Sequence, residues 1–84
     1  MKQPIFFQHA GRLLQVAAAQ EDKGWAVRIY DERGDRVSPI VYRVDYEVAL
    51  DASMGALQLD LVDDLMNLLR HEAETGRLVL LPPK

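Results

Sequence analysis

Through the first half of the chain, apolar residues recur at every second position; in the second half they recur every three or four. Trp25, Val27 and Ile29 alternate with Ala26, Arg28 and Tyr30, which predicts a strand from Trp25 to Tyr30. Before it, Leu14, Val16 and Ala18 alternate with Leu13, Gln15 and Ala17 in a strand from Arg12 to Gln20, preceded by a shorter strand from Ile5 to His9. Ala10-Gly11 is the tight turn between those two, because Gly accepts the positive φ such turns require. Glu21-Asp22-Lys23-Gly24 and Asp31-Glu32-Arg33-Gly34-Asp35 mark the next two turns. Arg36 to Val44 then reads as a third main strand, with Ile40, Tyr42 and Val44 on one side and Pro39 marking an edge or an irregular start. Strands linked in this way form a meander, and one face of it needs a cover.

The change of spacing supplies that cover. Tyr46, Leu50, Met54, Leu57, Leu61, Leu65 and Leu68 follow one another by three or four residues, which places them on one stripe of an α-helix. Asp45 is the expected N-cap, its carboxylate accepting from the free amides of the first turn, and Glu47 suits the positive end of the helix dipole. A start at Asp51 or Ser53 is the alternative. Gly55 costs about 1 kcal/mol relative to Ala inside a helix, so it marks either a close approach to the sheet or a break. Gly76 suits the position after the last turn, and Arg77 to Leu81 is a short extended tail or a fourth strand, halted by Pro82-Pro83. The expected fold is a single α+β domain over residues 1–84: a three- to four-stranded antiparallel meander packed on one long C-terminal helix, βββα.

The apolar arc of that helix spans roughly 200°, against about 100° for a helix covered on one side. Leu59, Val62, Met66 and Leu69 form the surplus flank. It is covered either by the Leu78-Val79-Leu80-Leu81 tail folding back or by a second copy in a twofold homodimer. Opposite lies a column of Asp60, Asp64, Asn67 and His71, oxygen and nitrogen donors that suit a divalent cation only with ligands from a second element. Read as a solvated acidic face, Asp60, Asp63, Asp64 and Glu74 suit a basic protein partner.

Charge sharpens this picture. Residues 1–44 carry seven basic side chains against five acidic ones, and residues 45–84 carry three against eight. Such a division within one small domain favours internal steering, or head-to-tail association, over a general affinity for nucleic acid. The chain has no cysteine, hence no disulfide and no thiolate chemistry, which fits a reducing compartment; we expect a cytoplasmic protein. The Ile5-Phe6-Phe7 run is too short for a secretory signal, and no window approaches a membrane span. Ser38 and Ser53 lie outside any nucleophile elbow, His9 and His71 are the only histidines, and the five glycines are isolated. Neither an enzyme nor a cofactor is expected.

The uncovered sheet face is the second candidate surface. Gln15, Arg28, Tyr30 and Arg43 share it by alternation, and two arginines beside a tyrosine suit phosphate or an acidic peptide. Gly24-Trp25-Ala26-Val27-Arg28-Ile29, then Asp31-Glu32-Arg33-Gly34 and Tyr46-Glu47-Val48-Ala49-Leu50, resemble the plant AP2-type DNA-binding domain over roughly Gly11 to Ala52. That resemblance implies a helix-backed sheet reading the major groove. The same order of elements also resembles small bacterial βββα domains of unknown function, which implies no activity. The expectation is a non-enzymatic protein-interaction module that self-associates through its helix, with nucleic-acid binding on the sheet face as the alternative.

Overall fold

The computed structural model describes residues 2–83. Four strands precede two helices: β1 (Ile5–His9), β2 (Arg12–Glu21), β3 (Gly24–Asp31), β4 (Tyr42–Asp45), α1 (Tyr46–Met54) and α2 (Leu61–Glu74). The strands pair antiparallel in the order β1-β2-β3-β4, so the expected α+β meander forms, with four strands. Ala10 (φ 52°) and Gly11 (φ 75°) take the left-handed pair of conformations that a two-residue hairpin favours. Gly24 belongs to β3 rather than to the turn. A Cβ at that position would stand 2.2 Å from the Val44 carbonyl oxygen, so glycine is what lets β4 approach.

The strand expected from Arg36 to Val44 is shortened to Tyr42–Asp45. Arg36 makes only a single bridge, to Tyr30. Beyond it the loop itself satisfies β3. The Ile29 carbonyl accepts from the Val37 and Ser38 amides at 2.9 and 3.3 Å, and the buried Ser38 hydroxyl accepts from the Ile29 amide at 3.0 Å. Both main-chain groups of Ile29 are thereby paired without a neighbouring strand. The turn before it is closed by Asp31, whose carboxylate accepts from the Arg33 and Asp35 amides, each at 2.9 Å.

The single long helix is corrected to two. Gly55 is extended (φ −73°, ψ 175°), Gln58 is left-handed (φ 49°), and Asp60 opens α2 by accepting from the Asp63 amide at 3.0 Å. The earlier of the two expected starts holds, with α1 beginning at Tyr46. The expected Asp45 cap does not form, however. The Tyr46 amide donates instead to the Lys23 carbonyl at 2.9 Å, tying α1 to the β2–β3 turn.

Splitting the helix also turns α2 relative to expectation. The core joins Phe7, Leu14, Val16, Val27 and Ile29 of the sheet to Val62, Met66, Leu69 and Ala73 of α2, with Val37 and Leu78 closing its margins. The flank predicted to meet a partner is therefore the face that meets the sheet. Within α2 two apolar rows compete: Leu61-Leu65-Leu68 continues to Glu72, whereas Val62-Met66-Leu69 continues to Ala73. Burying the first would take a carboxylate into the core. Burying the second leaves Glu72 at the edge, where it accepts from the Tyr42 hydroxyl at 2.8 Å. Each of the large side chains buried this way contributes about 1.5–3 kcal/mol. Gly76 (φ 77°) ends the helix as expected, but residues 77–81 form no strand; Leu78 enters the core and the Leu81 amide donates to the Val37 carbonyl at 2.7 Å.

Candidate partner-binding surfaces

Of the predicted helix flank, Val62, Met66 and Leu69 are buried, and Leu59 alone remains at the surface. Of the residues expected to face the sheet, Leu50, Met54 (76% exposed), Leu57 (80%) and Leu68 (44%) lie outside, whereas Leu61 is half-buried and Leu65 packs against the margin of the core. No side chain of α1 is buried. Ala49 packs against the margin of the core, and the Tyr46 ring meets Trp25 edge-on at 6.1 Å between centroids. Between α1 and the start of α2 lies a cleft of about 450 Å³, with Trp25, Ala49, Leu50, Leu59 and Val62 among its walls. Lys2 and Asp60 form an ion pair at its rim, and that pair is the chief cause holding the Asp60 carboxyl below its ordinary range. Composition signals this apolar surface, but helical phase alone places it on the wrong side. The contrast between Glu72 and Ala73 was the signal that separates the two rows.

No family model, curated protein or solved structure matches the chain.

On the sheet, all four predicted residues share the open face. Gln15 stands opposite Tyr30, Ala17 opposite Arg28, Ala19 opposite Ala26, and Ala26 opposite Arg43. The residue that sequence reasoning missed is Glu21, because β2 runs one position further than expected. Glu21 accepts from both Arg28 Nη atoms (2.5 and 3.1 Å) and from Arg43 Nη1 (3.1 Å). The Arg28 side chain reaches it across the Ala19–Ala26 rung, where small residues leave room, and Ala26 is buried although it lies on the outer face. Hydrogen bonding from Arg28, with Arg43 adding to it, lowers the Glu21 carboxyl to about 2 against the opposing effect of desolvation. Arg28 is correspondingly raised above its ordinary value, first by hydrogen bonding to Glu21, with Tyr30 acting in the same direction. The two guanidinium groups are thus held by an internal carboxylate.

The acidic face of α2 is also partly spoken for. Asn67 turns from the predicted column and donates to Asp63, at 2.9 Å to its carbonyl and 3.2 Å to its carboxylate. Glu74 pairs with Arg70 at 3.6 Å. Among the described residues no three His, Asp or Glu side chains converge to hold a metal ion, and no helix is long and apolar enough to cross a membrane.

Proposed function

We propose that this domain is a non-enzymatic protein-interaction module that associates with a second copy of itself through α1 and the turn after it. The observation that supports this reading is a nine-residue helix with no side chain in the core. Leu50, Met54, Leu57 and Leu59 are exposed together along that helix and turn. Exposed apolar side chains gathered in one region mark contact surfaces in a way that scattered ones do not. A core this small also gains from a second one beside it. The sheet-face reading is less favoured because Glu21 engages both arginines that would have to meet phosphate and cancels one of their two charges.

Sedimentation equilibrium tests the reading. The wild type is expected to show a concentration-dependent dimer that persists as salt is added, whereas phosphate-driven binding weakens steeply with salt. Met54→Asp combined with Leu57→Asp is expected to stay folded and to lose the association that runs through α1, since neither side chain supports the core. A wild type that stays monomeric at high micromolar concentration refutes the proposal, and so does a double variant that associates as tightly as the wild type.

A further inference from the structure

The two edges of the sheet differ. β4 is four residues long, carries Arg43 and Asp45, and runs directly into α1. β1 has none of the devices that protect an edge strand. Its residues, Ile5-Phe6-Phe7-Gln8-His9, include no Lys, Arg, Asp, Glu or Pro. Its register with β2 runs without a bulge from Ile5↔Val16 to His9↔Arg12. Among the described residues, no segment other than β2 is bonded through its backbone to β1.

The register also fixes which backbone groups are free. In a two-residue hairpin the flanking residues, here His9 and Arg12, form a hydrogen-bonded pair, and such pairs alternate along an antiparallel ladder. Ile5, Phe7 and His9 therefore bond to β2, while the amides and carbonyls of Phe6 and Gln8 point away from the sheet. These four groups are spaced symmetrically about Phe7, so they match those of the same strand running the other way.

We propose that β1 pairs antiparallel with β1 of a second copy about a twofold axis at Phe7, joining two sheets into one of eight strands. Phe6 bonds to Gln8 of the second copy and Gln8 to Phe6, satisfying all four groups. Phe7 faces its own counterpart at the close, non-hydrogen-bonded position, where aromatic pairs stabilise a sheet. With no charged side chain on the strand, nothing repels the second copy. This contact lies at the opposite edge of the sheet from α1 and does not depend on the association proposed there.

Backbone amide exchange provides the test, on the Met54→Asp/Leu57→Asp protein, in which α1 association is removed. The Phe6 and Gln8 amides are expected to gain protection as protein concentration rises, while those of Phe7 and His9 are protected throughout. Gln8→Pro removes only an outward-pointing amide, which an edge strand tolerates, so it is expected to keep the sheet and lose the concentration-dependent protection at Phe6. Phe6→Lys, an edge-guarding substitution that leaves the backbone intact, is expected to abolish the protection at Phe6 and Gln8 alike. If the Phe6 and Gln8 amides exchange equally fast at low and high concentration, or if either variant associates as its parent does, the proposal is overturned.

Discussion

Leu68 and Leu69 are neighbours of identical chemistry on α2, and the orientation of that helix makes opposite demands on them. Leu69 is fully buried and Leu68 is 44% exposed. Leu69→Ala removes three heavy atoms from the core beneath α2, where sheet and helix cannot both close the gap. The expected loss is about 3–4 kcal/mol, within the range for buried leucines. At Leu68 the same change removes only a partly covered side chain, and Ala and Leu have similar helix propensity; the expected loss is about 1 kcal/mol. A domain of this length has a total stability of about 4–13 kcal/mol, so the first variant loses a large share of it and the second little. Urea titration at low micromolar concentration reads the difference through Trp25, the single tryptophan, which sits on β3 beside Tyr46. With a slope of about 1 kcal/mol/M, the midpoint should fall by about 3 M for Leu69→Ala and about 1 M for Leu68→Ala. Equal losses, or a larger one at Leu68, would mean that α2 presents its other row to the sheet and that the core described above is wrong.

Three further outcomes follow from the turns and from the ion pairs on the sheet. Gly24→Ala sets a methyl group against the Val44 carbonyl and should lower stability by about 1–3 kcal/mol in thermal unfolding; an unchanged melting temperature would refute the close approach of β4. Ala10→Asn places a residue that tolerates left-handed backbone before Gly11 and should raise stability by about 0.5–1 kcal/mol in the same assay. Because the Glu21 carboxyl is lowered from 4.5 to about 2, its contribution is fully present above pH 4.5 and is lost as pH falls toward 2. Acid titration of Glu21→Gln should therefore show a shallower decline than the wild type over that window, and superimposable curves would remove the ion pairs from the account.

The sheet was readable because alternation is a local signal and the turn residues between strands are unambiguous. Leu14, Val16, Val27 and Ile29 fell on the core side as their spacing required. What escaped was non-local. The third strand was overextended because Ser38 serves β3 with a side-chain oxygen, and no periodicity encodes that substitution. Three-and-four spacing survives across Gly55 and so predicts one continuous helix, even though the backbone turns there and restarts at Asp60. In one unbroken helix the phase set by Tyr46, Leu50 and Met54 conflicts with that of Val62 and Met66 over which side faces inward. At the open sheet face, alternation brought Gln15, Arg28, Tyr30 and Arg43 together correctly, yet gave no sign of the carboxylate between the arginines. That depended on where β2 ends, and strand ends are the least legible part of a sequence.

Asp31 illustrates how a loop can hold a shape that its neighbours do not impose. Its carboxylate gathers two amides of the segment that follows, so the excursion from β3 leaves at a set angle and delivers Val37 and Ser38 back alongside Ile29. Replacing that side chain by one of equal size without acceptors would leave every strand and helix unchanged in sequence and still strip the Arg33 and Asp35 amides of their acceptor. The backbone bonds from the Asp31 amide to Asp35 and from the Gly34 amide to Asp31 would then hold the turn alone, and the path that returns Val37 and Ser38 to Ile29 would loosen first.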